Sequence, residues 1–233
     1  MIKILKQING EFFVLNDGTH CRDINGLILK LSELHDGVCE VDLKKLAKDI
    51  YKDCYTILHD ERYLIMSLGQ GGAKAVGLLN NYQLSSRVIK MKCHRLYDQK
   101  CYRFVDDFDS FDFRDKEVIL FEDVIASGET ILYASKKIKE KGGAIKCILS
   151  LTISGASPCI KKSEAFPSIV VGATLNCEKN EQNVRSLSAH WVPGIYSLRH
   201  LLYGEEENPA FYSIIADLYF HGKDIKKLLT AYR

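Results

Sequence analysis

The sequence predicts an α/β protein with a central parallel sheet flanked by helices, a small β-rich addition before it and a helical addition after it. Three observations predict this. From residue 62 the chain alternates strand, turn and helix. Two apolar runs, Tyr63-Leu-Ile-Met-Ser-Leu68 and Val118-Ile-Leu-Phe121, are unbroken rather than alternating, as in strands covered on both faces. Each run enters a glycine-containing turn that opens a helix, the repeat of a parallel sheet with right-handed crossovers.

Taken in order, Glu11 to Leu15, the turn Asn16-Asp-Gly18 and Ile24 to Leu31 predict a hairpin within residues 1–35. Residues 42–54 predict an amphipathic helix with Leu43, Leu46, Ala47 and Ile50 on one stripe. Tyr63 to Leu68 is the first core strand, Gly69 to Gly72 a loop, and Ala73 to Leu79 its helix. Ser86 to Cys93 is the second strand and Glu117 to Phe121 the third. A helix from Glu129 to Lys141 ends at Gly142-Gly143. Ala144 to Ile153 and Ser168 to Gly172 are the fourth and fifth strands. From Asn208-Pro209 onward, Phe211, Ile214, Ile215, Leu218 and Tyr219 predict helices packed back on the body. The whole, 1–233, reads as a single domain with a core at about 56–178, an N-terminal addition at 1–55 and an extension at 179–233.

Composition narrows the class. With 46% hydrophobic and 27% charged residues, the chain is composed as a soluble globular protein. No apolar run approaches the ~18 residues of a membrane span, and the N-terminus lacks the apolar core of a signal peptide. A net charge of +2 with dispersed lysines argues against nucleic acid as a partner. Basic runs such as Lys136 to Lys141 fall on the exposed face of a predicted helix. The eight cysteines form no C-x-x-C pair, so reduced thiols in a cytoplasmic protein are expected, not a disulfide framework or a zinc site.

The chemistry is concentrated in Val118-Ile-Leu-Phe-Glu-Asp-Val-Ile-Ala-Ser-Gly-Glu-Thr130. Adjacent carboxylates at the end of a buried strand are costly without partners. Glu122 and Asp123 stand there, and ligands of open parallel sheets bind beyond the carboxyl ends of the strands. Ala126 to Thr130 then opens a helix whose first N–H groups and dipole favour an anion. Gly128 allows close backbone approach, and the Ser127 and Thr130 hydroxyls can donate. The alternative is structural, with Ser127 an N-cap and Glu129 a first-turn acid matched to the dipole.

This segment resembles the phosphoribosyl-pyrophosphate (PRPP) motif of the type I phosphoribosyltransferases. The portion from about 60 to 175 follows that family's order. The resemblance implies that Glu122 and Asp123 hold the ribose 2′- and 3′-hydroxyls as the catalytic acids, and that Ala126, Ser127, Gly128, Glu129 and Thr130 bind the 5′-phosphate. It implies that Gly69, Gln70, Gly71 and Gly72 face the pyrophosphate, with Mg²⁺ as cofactor held largely by substrate oxygens and water. The implied activity is transfer of the 5-phosphoribosyl group to or from a nitrogenous base, with PRPP and a base or nucleotide as partners and a homodimer as the assembly. The implied chemistry passes through an oxocarbenium-like state and needs no protein nucleophile. A non-catalytic PRPP- or nucleotide-binding regulator on the same scaffold is the alternative, and a partner-binding module a third reading.

The wording Glu-Asp-Val-Ile-Ala-Ser-Gly is closest to the orotate branch, without that branch's lysine-rich loop. Ala126 stands where the hypoxanthine-guanine branch carries a carboxylate, and Gln70 where a basic residue is common. Lys92, Arg95, Lys100 and Arg103, near the end of the second strand, are candidates for the pyrophosphate or an exposed basic face. Asp106 to Asp115 is an acidic aromatic run that reads either as a loop closing over substrate or as a solvated linker. Phe111 replaces the glycine an EF-hand needs there. His94, His190 and Trp191 are expected in packing or surface roles.

Overall fold

The computed structural model describes residues 2–4, 7–9, 12–16, 29, 38–79, 84, 88–96, 101–104, 108–125, 128–154 and 168–176. The chain divides into two compact units, one of Met1–Gln7 with Lys45–Thr174 and the other of Ile8–Lys44 with Leu175–Arg233.

The strands are β1 (Ile2–Ile4), β2 (Gln7–Asn9), β3 (Phe12–Asn16) and β4 (Val38–Asp42), followed by helices α1 (Leu43–Asp53) and α2 (Tyr55–Leu58). Then come β5 (Tyr63–Leu68), α3 (Gly69–Leu79), β6 (Val88–Met91), β7 (Cys93–Leu96), β8 (Cys101–Phe104), β9 (Glu117–Ile125), α4 (Glu129–Glu140), β10 (Ala144–Ser154) and β11 (Ile169–Asn176). The main sheet runs in the order β1-β11-β10-β9-β5-β6. The pairs β1 with β11, β10 with β9, β5 with β9 and β5 with β6 are all parallel. The expected α/β fold with a central parallel sheet and flanking helices is therefore present.

Helix α1 forms where the stripe predicts it, with Leu43, Leu46, Ala47 and Ile50 all buried. Strand β5 is buried along nearly its whole length, as its unbroken apolar run implies. One sheet face carries Leu64, Met66, Leu68, Val118, Leu120, Ile148 and Val171, packed with Ile131, Ala134 and Ile138 of α4. On the other, Leu46 of α1 meets Gly172, where a Cβ would lie 2.8 Å from the leucine Cβ. A register shift between Ile145 and Cys147 resets the alternation of β10, so Ile145 and Ile148 both join the α4-side core although three residues apart.

Helix α4 ends as expected. Gly142 takes the left-handed conformation (φ 82°), its N–H donates to the Lys139 carbonyl at 3.0 Å, and the Gly143 N–H donates to the Ile138 carbonyl at 3.0 Å. These are the two bonds of a Schellman motif, and a residue with a Cβ at Gly142 would be strained in that conformation.

In the other unit, the expected hairpin is corrected. The described partner of β3 is β4, in parallel, with Phe12 opposite Val38 and Asn16 opposite Asp42. A parallel pair cannot be joined by a two-residue turn. Leu29, within the expected strand from Ile24 to Leu31, is helical and exposed, while the rest of that strand, the turn at Asp17-Gly18, the expected C-terminal helices, His190 and Trp191 lie outside the described residues.

Candidate functional site

The site region is the carboxyl edge of β5 and β9, neighbours in the sheet, from which α3 and α4 start. Glu122 and Asp123 were expected just past the third strand. They lie inside it, because β9 continues to Ile125. The cause is β10, which extends to Ser154 and keeps the backbone of β9 extended through the pairs Ser150 with Glu122, Thr152 with Val124 and Ile153 with Ile125. The ladder to β5 reaches Ser67 with Phe121, so the two acids project past the end of that neighbour.

Being inside a strand separates them, because successive side chains of a strand point to opposite faces. The Asp123 carboxylate lies against the first turn of α3, occupying the space where Gly71 would carry a Cβ. Glu122 belongs to the face of Leu120 and raises the pKa of Cys93 at the start of β7. Burial pushes the Glu122 carboxyl well above its ordinary value, and the neighbouring Asp123 charge pushes it further. Burial, then the Glu122 charge, pushes the Cys93 thiol up to about 12. The two acids therefore stand in different environments.

The glycine loop is also corrected. Gly69, Gln70, Gly71 and Gly72 are not a loop but the first turn of α3, entered through Gly69 at φ 65°. At Gly72 a Cβ would fall 2.6 Å from the Phe121 carbonyl oxygen. The glycines bring the start of the helix onto β9 at a distance no side chain permits. A glycine run looks the same in sequence whether it loosens a loop or permits close helix packing.

At the second helix start, Gly128 is the N-cap of α4 in the left-handed conformation (φ 77°, ψ 3°), with no side-chain cap. Its carbonyl accepts the Leu132 N–H at 3.0 Å. Thr130 is partly buried and Glu129 exposed at the helix start. Ala126 and Ser127 lie outside the described residues.

Of the basic candidates, Lys92 directly follows the second strand, which stops at Met91. Lys92 is exposed between β6 and β7. Arg95 and Arg103 belong to the antiparallel ribbon β7–β8, at register positions opposite Tyr102 and His94. Lys100 lies outside the described residues.

From Phe108, where its described part begins, the acidic aromatic run is a short 3-10 turn and loop anchored by its aromatic residues. Phe108 and Phe113 are buried in the α4-side core, and Phe108 stacks on Phe104 with ring centroids 4.1 Å apart. Lys141 at the end of α4 donates to the carbonyls of Phe108 at 3.1 Å and Asp109 at 2.6 Å. The acids stay at the surface, where Asp112 is held down to about 2 by its hydrogen bonds with Arg114.

Sequence reasoning passed over two residues of β10. Ser150 and Thr152 are both fully buried. The Ser150 hydroxyl reaches the Thr152 carbonyl at 2.8 Å and the Asp123 carbonyl at 3.3 Å, and the Thr152 hydroxyl reaches the Asp123 carbonyl at 3.4 Å. Their signal was present: hydroxyl residues at alternate positions, Ser150, Thr152 and Ser154, in the last half of a mostly apolar strand.

The donor set does not form a metal cage, since no group of three or more His, Cys, Asp or Glu side chains converges among the described residues. Among the described residues, the Asp123 carboxylate at the edge of the sheet is the one that would lend an oxygen to a Mg²⁺ ion bound there.

No family model matches the chain. In sequence it is similar to the ribose-phosphate pyrophosphokinase of Campylobacter jejuni, 24% identical over 167 residues, which cover 70% of this chain and 52% of that protein. The chain thus spans about half the length of the curated relative it matches. Among solved structures it is similar to a purine phosphoribosyltransferase from Pyrococcus horikoshii, with a TM-score of 0.43 and 17% identity, covering 57% of this chain and 85% of that one. It is also similar to a hypoxanthine phosphoribosyltransferase from Staphylococcus aureus, with a TM-score of 0.45 and 12% identity, covering 59% and 75%.

Proposed function

We propose that this chain is a phosphoribosyltransferase that binds PRPP with Mg²⁺ and transfers the 5-phosphoribosyl group to or from a nitrogenous base, with release of pyrophosphate. One observation carries the reading. Two helices, α3 and α4, begin at the carboxyl edge of the paired strands β5 and β9, and the Asp123 carboxylate stands at the first of these starts. Helix starts favour phosphate and the acid favours sugar hydroxyls or a cation, so the edge offers what a sugar bearing a phosphate and a pyrophosphate needs. The similarity to a protein named ribose-phosphate pyrophosphokinase supports the same pair of groups without specifying a base.

In this reading Gly128, Glu129 and Thr130, with Ala126 and Ser127, surround the 5′-phosphate. Asp123 orients the ribose and would lend an oxygen to a bound Mg²⁺, whose charge would neutralise the departing pyrophosphate. Gly69 to Gly72 direct the start of α3 toward the pyrophosphate. Glu122 stands on the other face, its carboxyl pushed up by burial and by the Asp123 charge. With the acceptor base held close, fixing the ribose places C1′ between the incoming base and the departing pyrophosphate.

A second reading, a PRPP- or nucleotide-binding regulator without turnover, is favoured by one observation. The first turn of α3 is already covered by the Asp123 carboxylate, and Gln70 stands there in place of a basic residue.

The test is thermal unfolding of the native chain and Asp123→Ala, with and without PRPP plus Mg²⁺, followed by pyrophosphate release across a panel of bases. A ligand at about a hundred times its dissociation constant stabilises the folded state by roughly 2.7 kcal/mol. A rise in Tm confined to the native chain, with pyrophosphate released for one base, is the expected result. A rise without release selects the regulator. No rise at millimolar PRPP overturns both.

A further inference from the structure

We infer that Ser150 and Thr152 are positioning residues for Asp123: their two buried hydroxyls hold its peptide so that its carboxylate stays over the first turn of α3. The inference deepens the function proposed above and rests on it for the ligand. Past Phe121 the ladder from β9 to β5 has ended, while the ladder to β10 continues. The peptide that carries Asp123 is therefore held mainly from one side. From that side Thr152 brings a hydroxyl to the Asp123 carbonyl at 3.4 Å, and Ser150 shares its proton between that carbonyl at 3.3 Å and the Thr152 carbonyl at 2.8 Å.

Packing does not account for these hydroxyls. Both residues are fully buried, in a strand whose other buried residues are Ile145, Cys147, Ile148, Leu149, Leu151 and Ile153. Alanine or valine would fill such positions without a polar group to satisfy. Ser150 lies directly opposite Glu122 and Thr152 opposite Val124, so the pair brackets Asp123 in the register. A small rotation of that peptide would swing the carboxylate either into the backbone of α3 at Gly71 or away from it, because Gly71 leaves no slack.

The experiment compares the native chain with Ser150→Ala, Thr152→Val, the double variant and Thr152→Ser, which keeps the hydroxyl. Two readouts are taken: amide hydrogen exchange of β9, and the dissociation constant for PRPP with Mg²⁺. Positioning predicts faster exchange at 122–125 with 117–121 unchanged, PRPP binding weaker by about fivefold or more in the double variant, and native behaviour in Thr152→Ser. Exchange that is unchanged, or faster along the whole of β9, overturns the inference, and so does weakened exchange protection with PRPP affinity intact. If the native chain binds no PRPP, the proposed function fails, and the exchange pattern alone decides whether the hydroxyls hold Asp123. If the double variant does not fold, the single variants and Thr152→Ser carry the same comparison.

Discussion

Gly71 and Asp123 occupy one space: the carboxylate of Asp123 lies where any residue other than glycine at position 71 would place its Cβ. Helix α3 and strand β9 are interlocked at this point, at the edge where the ligand is proposed to bind.

Gly71→Ala and Gly72→Ala are expected to behave differently. At Gly72 the obstacle is the Phe121 backbone carbonyl, 2.6 Å from the would-be Cβ, which cannot move without the sheet. Gly72→Ala should lower stability by about 1–3 kcal/mol, as overpacking does. At Gly71 the obstacle is a side-chain end that can swing away. Gly71→Ala should cost less stability but remove the rise in Tm with PRPP and Mg²⁺. Urea unfolding and ligand-dependent Tm measure the two effects, and equal losses in both variants would refute the distinction.

Glu122 sets a pH dependence with a definite sign. Its folded-state carboxyl is raised by burial and by Asp123, so above the ordinary value of 4.5 the folded chain still holds a proton that the unfolded chain has released. The contribution is full at low pH, declines as pH rises above 4.5, and stops declining once Glu122 ionises in the folded state. Glu122→Gln should flatten that decline while Asp123→Asn leaves most of it. Urea midpoints across pH for the three proteins give the comparison.

Cys93 and Cys147 are free thiols, both pushed up to about 12, chiefly by burial. At pH 8 their alkylation by iodoacetamide in the folded chain should be slower by about a hundredfold or more than in urea. Peptide-level mass spectrometry reads each site separately. Rapid labelling of Cys93 in the native chain would contradict its placement beside Glu122.

Phe113 and Asp112 are neighbours with opposite expectations. Phe113 is fully buried in the core with Phe108, so Phe113→Ala should cost about 3–5 kcal/mol. Asp112 pairs with Arg114 at the surface, at 2.8 Å, and Asp112→Ala should leave the unfolding midpoint little changed. A large effect at Asp112 would mean that the acidic side of the run contributes more than surface pairing.

Much of the fold was legible because burial writes a period into the sequence. The stripe Leu43, Leu46, Ala47 and Ile50 marked α1, the unbroken run Tyr63 to Leu68 marked β5, and Gly142-Gly143 marked the end of α4. Two readings failed for one reason, which is that strand partners are not encoded locally. Asp17-Gly18 read as a turn into a strand at Ile24–Leu31, yet Leu29 there is helical and the described partner of β3 is the distant β4. The third strand was read as ending at Phe121, where the apolar run stops, but pairing with β10 carries it to Ile125.

The sequence by itself determined the candidates: two adjacent acids after an apolar strand, glycines at the start of each of two helices, and an alternation that places both at one edge of a parallel sheet. Only the tertiary structure decided how they are used. The β10 register put Glu122 and Asp123 on opposite faces, the close approach of α3 turned the glycine run into a helical turn beneath Asp123, and Phe108 and Phe113 anchored a segment whose charges suggested exposure. Local composition sets what a side chain can do. Which face it takes, and which groups surround it, depend on strands and helices brought together from far along the chain.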